Sequence, residues 1–151
     1  MDLQMNGNAA LVSGSTRGLG KASAKALARE GVNVVINGRD EARLEDAVEE
    51  IKEVATGEVV GQPGDLTDPT DIRALVQRAI DEYGRLDHLV TSVGGPASDP
   101  ILEIEDERWY RAFDELVMSV VRLAKESAEY LREDGGGTIV TIASRTVKQP
   151  V

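Results

Sequence analysis

Residues 13–20 read Ser-Gly-Ser-Thr-Arg-Gly-Leu-Gly, between the apolar run Ala-Ala-Leu-Val and the helical-looking Lys-Ala-Ser-Ala-Lys-Ala-Leu-Ala-Arg-Glu. Three glycines, three hydroxyls and one arginine in eight residues suit two purposes. One is a tight turn from a strand into a helix. The other is a cradle for phosphate, because a helix N-terminus offers an anion unpaired N–H groups and the positive end of its dipole. On the second reading Gly14 permits the turn, Gly18 lets backbone approach a pyrophosphate, and Gly20 lets the helix pack on the strand.

Other reactive types are sparse. There is no cysteine, so disulfides and thiolate metal sites are excluded, and the single histidine, His88, rules out a histidine-rich metal centre. His88 lies within a strand-like run, where a buried, hydrogen-bonded role is expected rather than a catalytic one. Ser144 closes the last apolar run; by position alone it is a turn or cap residue. Arg145 and Lys148 follow it with no direction fixed.

Composition bounds the partners. The 151 residues suit one domain, 1–151, with a real core. There are 27 acidic and 17 basic residues, 12 of the latter arginine and 5 lysine, for a net charge of −10. That balance argues against nucleic acid and anionic membrane surfaces, which would repel the chain. No apolar run approaches the ~20 residues of a membrane span, and the N-terminus lacks a basic stretch followed by an apolar one. A cytoplasmic protein is expected. The acids cluster on helix-like segments such as 40–53 and 103–108, which reads as a solvated face, or more sharply as adaptation to a saline interior.

The elements that must position the glycine loop alternate from end to end. Strand-like runs appear at 8–13, 33–38, 58–63, 86–93 and 137–143, apolar on both faces as buried parallel strands require. Between them lie stripes at helical spacing: Leu44, Val48, Ile51 and Val54; Ile72, Leu75, Val76, Ala79 and Ile80; then Trp109, Phe113, Val117, Val120, Val121 and Ala124. Trp109 and Phe113 are expected in the core or in a subunit contact. Asp40 and Asp68-Pro69 open helices, and Gly31, Gly57, Gly84 and Gly135 are placed to end them with left-handed caps. Five strands and four helices in this order predict a doubly wound α/β fold with helices on both faces of a parallel sheet. In such a sheet a ligand sits beyond the carboxyl ends of the strands, where the 13–20 loop leaves.

The spacing Gly-x-x-x-Gly-x-Gly resembles the first loop of the short-chain dehydrogenase/reductase family, with Ser13 for the family's threonine. Asp65 in Gly-Asp-Leu-Thr-Asp resembles its adenine-contacting aspartate. Residues 85–95 resemble its fourth strand, and 136–144 resemble the fifth strand that ends on the catalytic serine. The look is nearest to 3-oxoacyl-thioester reductases. The resemblance implies a Rossmann-like sheet ordered 3-2-1-4-5 and a cofactor site of Gly14, Ser15, Arg17, Gly18, Leu19, Gly20, Arg39, Asp65, Leu66, Ser92 and Gly94, with Ser144 catalytic. Where NAD-preferring relatives carry an acid after the second strand, this chain has Gly38 and then Arg39. An arginine fork suits a phosphate, so NADP(H) is expected over NAD(H).

Departures matter as much. Thr91, Ser92 and Val93 replace the family's Asn-Asn-Ala, and Leu116 stands where many relatives have an asparagine. No Tyr-x-x-x-Lys occurs: Tyr83, Tyr110 and Tyr130 are each followed four residues on by aspartate. A carboxylate there would raise a phenol's pKa, not lower it. The family's remaining elements would follow residue 151, so the chain reads as its N-terminal part, stopping after the fifth strand. Two functions stay open: an oxidoreductase moving a hydride between nicotinamide and a small carbonyl or alcohol substrate, or a dinucleotide-binding module that does no chemistry. Residues 1–151 alone are expected to be inactive, and to self-associate through the open fifth strand or the fourth helix.

Overall fold

The computed structural model describes residues 3–95, 100–133 and 135–144. Arg145 and Lys148 lie outside the described residues. The strands are β1 (Ala9–Val12), β2 (Asn33–Gly38), β3 (Val59–Pro63), β4 (His88–Thr91) and β5 (Thr138–Thr141). All pair in parallel, in the order β3-β2-β1-β4-β5. The strand order reverses between β1 and β4, where the glycine loop leaves the sheet.

Alternation along the strands builds two cores. Ala10, Val12, Val34 and Ile36 face one way, against Ala24 and Ala28 of α1 (Gly18–Arg29) and Leu44, Val48 and Ile51 of α2 (Glu41–Lys52). Leu11, Val35 and Leu89 face the other way, against Ile72, Leu75, Val76 and Ala79 of α3 (Pro69–Tyr83). Burial on both faces is why these strands read as unbroken apolar runs. The Asp40 carboxylate accepts the Arg43 N–H at 2.9 Å to cap α2, and Asp68 accepts the Thr70 N–H at 2.7 Å to cap α3. Gly31, Gly84 and Gly135 are left-handed as expected. Gly57 is not; its missing Cβ makes room for the Val32 carbonyl.

The fourth helix departs from expectation. It is two helices, α4 (Asp106–Phe113) and α5 (Ser119–Ser127), joined by a π turn over Asp114–Met118. The Ser119 N–H reaches back to the Asp114 carbonyl, and its hydroxyl donates to the Glu115 carbonyl at 2.5 Å. The extra residue in the turn changes the phase of the helix surface. Ser119, Leu123 and Ser127 face inward instead of the predicted stripe, whose Trp109, Phe113, Val117 and Val121 are 41–58% exposed. These four are therefore not core residues of this chain. β5 is exposed along its whole length, including Ile139 and Val140.

Candidate functional site

A cavity of about 500 Å³ opens at the carboxyl ends of β1, β2, β3 and β4. It is lined by Gly14, Arg17, Gly18, Leu19, Arg39, Asp65, Leu66, Ser92 and Gly94, nine residues that the sequence nominates. Residues separated by up to 80 positions meet there because parallel strands all end on one side.

The glycine loop owes its shape to steric limits. Gly14 has φ +53°, and a Cβ on it would strike the Ser92 carbonyl. Gly18 has φ +58° with nothing within 4 Å of its absent Cβ, so its backbone is bare toward the cavity. Gly20 packs tightly, but against the Gly14 carbonyl and Ser92 Oγ rather than on the strand itself. Ser13 secures the loop's base: its hydroxyl donates to the Ser92 carbonyl and accepts the Ser92 N–H, both at 3.0 Å.

α1 begins unlike its neighbours. Arg17 occupies the capping position in an extended conformation with no side-chain cap bond, and the first turn holds no acid. The helix therefore keeps its N-terminal N–H groups and positive dipole for a ligand. Arg17, Arg39 and Arg43 add three guanidinium groups to the cavity wall. A pyrophosphate-bearing cofactor fits this donor set: a bare glycine cradle, an uncapped helix and fixed cations.

Asp65 sits opposite. Its Oδ1 accepts both the N–H and the hydroxyl of Thr67 at 2.8 Å, and its own N–H donates to Asp71 Oδ2 at 2.8 Å. Hydrogen bonds from Thr67, with Arg39 and Arg111 nearby, hold its carboxyl below the usual range, although burial pushes the other way. Arg122 braces this turn, donating to the Thr67 carbonyl at 3.3 Å while paired with Asp114 at 2.7 Å.

Three nominated residues stand outside the lining. Ser15 is fully buried; its hydroxyl donates to the Val12 carbonyl at 2.5 Å and its N–H to the Asn37 carbonyl at 2.9 Å. It shapes the loop from inside and does not line the cavity. Gly20 is the packing residue just described. Ser144 is exposed, two residues beyond Ile142, which does line the cavity.

Sequence reasoning missed Asn37, Thr16 and Arg43. Asn37 is 1% exposed. Its Oδ1 accepts the Gly14 N–H at 3.2 Å, and its Nδ2 donates to the carbonyls of Gln62 at 3.3 Å and Gly64 at 3.1 Å. Its backbone N–H donates to Ser15 Oγ at 2.9 Å. The one signal was a carboxamide directly after the apolar run Val34-Val35-Ile36.

Residues 8–151 match the family described as short chain dehydrogenase. The oxidoreductase YvrD of Bacillus subtilis is 32% identical over 151 residues, 100% of this chain and 56% of that protein. The structure of L-sorbose reductase from Gluconobacter frateurii, complexed with NADPH and L-sorbose, is 34% identical with TM-score 0.94. That match covers 100% of this chain and 57% of the reductase. An actinorhodin polyketide ketoreductase variant solved with NADPH is 33% identical with TM-score 0.89, over 100% of this chain and 58% of that one. The chain thus spans little more than half the length of the relatives it matches.

Two outcomes follow from this geometry. Asn37→Asp removes two donors and sets an oxygen against two carbonyls in a dry site, so urea denaturation should show a loss on the order of 3 kcal/mol. A loss under about 1 kcal/mol would contradict the bracing role. For Asp65 the sign runs with pH: a depressed carboxyl stabilises the fold above the ordinary aspartate pKa of ~3.9, and that contribution is lost as pH falls through the lower folded value. The melting-temperature gap between wild type and Asp65→Ala should therefore be full at neutral pH and narrow in acid.

Proposed function

The chain belongs to the short-chain dehydrogenase family, and from that premise we propose that it holds NADP(H) in preference to NAD(H). The cofactor serves hydride transfer between its nicotinamide and a carbonyl or alcohol carbon of a small molecule. The observation that carries the cofactor choice is the end of β2. Gly38 supplies no carboxylate to accept ribose hydroxyls, and Arg39 follows it, with Arg17 and Arg43 on the same cavity wall. Charge-assisted contacts from such forks favour a 2′-phosphate, which a carboxylate would repel.

The remaining assignments follow the lining. The first-turn amides of α1 and the backbone at Gly14 take the pyrophosphate. Asp65 and Leu66 take the adenine, while Ser92 and Gly94 face the reacting end. When bound, the dinucleotide supplies the hydride chemistry; the protein supplies binding, orientation and electrostatics. Ser144 would orient a substrate carbonyl. The similarity to a polyketide ketoreductase supports acyl-thioester ketones as one substrate class. We place the protein in a saline cytoplasm, as a homo-oligomer joined through the exposed face of α4 and β5, where Trp109, Phe113, Ile139 and Val140 meet solvent.

A second reading, dinucleotide binding without turnover, is favoured by two observations. Leu116 puts an apolar side chain in the π turn beside the cavity residue Glu115, and Ser144 lies outside the cavity lining. General acid–base help is worth about 10²–10⁴ in rate, and within residues 1–151 no tyrosine is followed four positions on by a lysine that would support it.

Arg39→Ala should weaken NADPH by about 1.5–3 kcal/mol and NADH far less, measured by fluorescence titration. Equal losses for the two would remove Arg39 from the phosphate site. NADPH oxidation, tested against ketones and acyl thioesters, separates the two readings. Turnover lost in Ser144→Ala supports the oxidoreductase, whereas tight NADPH binding with no turnover supports the module.

A further inference from the structure

We propose that Thr16 is a specificity-determining residue: its side-chain methyl bars any side chain from position 38, keeps the acidic group of an NAD site out, and thereby fixes the preference for NADP(H). The inference rests on the NADP(H) reading above and adds the physical cause of Gly38.

Glycine at position 38 is not a backbone requirement. Its φ is not among the positive values of the chain, so any L-residue could adopt the local conformation. The requirement is spatial. A Cβ built on Gly38 would collide with Thr16 Cγ2, while the Cβ and Oγ1 of Thr16 lie at 3.5 Å, in ordinary contact. One methyl group is the obstacle.

Neither backbone can retreat. Gly38 is held in β2 by its pairing with Pro63, and its carbonyl accepts the Gly64 N–H at 3.2 Å. The loop carrying Thr16 is fastened on the same side, through the Ser15 N–H to the Asn37 carbonyl and the Gly14 N–H to Asn37 Oδ1. The contact is relieved at Thr16 itself, by rotating its side chain about χ1 or by losing the methyl. Thr16, Gly38 and Arg39 all line the cavity, so the residue that clears the end of β2 also borders the arginine that replaces the carboxylate.

The test is a cycle on the full chain: wild type, Thr16→Ala, Gly38→Asp and the double variant. Each is titrated with NADH and NADPH and melted without nucleotide. Gly38→Asp alone should weaken both cofactors by about tenfold or more and lower the melting temperature. Adding Thr16→Ala should recover about tenfold in NADH affinity and most of the melting temperature, with NADPH still weak. If Gly38→Asp alone already prefers NADH and the double variant binds it no better, the proposal is wrong. Gly38→Ala in both Thr16 backgrounds adds the Cβ without charge and keeps the contact measurable should the aspartate variant fail to fold. Equal melting losses for Gly38→Ala with and without the Thr16 methyl would overturn the steric claim alone. A wild-type preference for NADH would overturn the cofactor reading, and this proposal with it.

Discussion

The Asn37 carboxamide meets the backbone of two different connections at once. Buried polar atoms must find partners, and here both ends of one amide do so across chain segments far apart in sequence. The carbonyl end fixes Gly14, and the amino end fixes the exit of β3. With the backbone bonds to Ser15, this sets the distance between the glycine loop and the 64–67 turn. The cavity lies between those two, so its width is a property of one residue. The tight contact between Thr16 and Gly38 exists because this brace leaves no slack.

The cavity also illustrates how a chain of net charge −10 can present a site for an anion. Most of the acids lie on helix faces in water and Asp40, Asp65 and Glu115 line the cavity, but Arg17, Arg39 and Arg43 converge there with an uncapped helix end. Lys21 and Lys25 are engaged elsewhere, both pairing with Glu50 on the surface. Local field, not net charge, decides what a cleft attracts.

Most of the fold was legible because its signals are strong and local. Buried parallel strands read as Val-Val-Ile runs, and Asp40 and Asp68 cap the helices they precede. The glycine loop was legible because its spacing and its place after a strand limit what it can be. The fourth helix misled because periodicity assumes a constant turn, which the π turn breaks, and because an apolar stripe such as Trp109 and Phe113 does not say that this chain itself covers it. Asn37 and Thr16 escaped notice because their roles depend on what lies across the sheet, which linear spacing does not carry. The inward turn of the Ser15 hydroxyl was hidden for the same reason: nothing local says which way a loop hydroxyl points.

Asn37 is followed directly by Gly38, and that pair has a chemical as well as a structural side. An asparagine before glycine is prone to attack on its own side chain by the next backbone nitrogen, which expels ammonia and leaves a cyclic imide that water then opens to an acid. In β2 the carboxamide is held by three partners and the backbone is extended, so nucleophile and carbonyl carbon are kept apart. Unfolding releases both. A molecule that ages in that state returns with a carboxylate where the fold needs an amide, and the brace cannot re-form. Native structure thus protects the residue it depends on, and each melting exposes that peptide bond to the same loss.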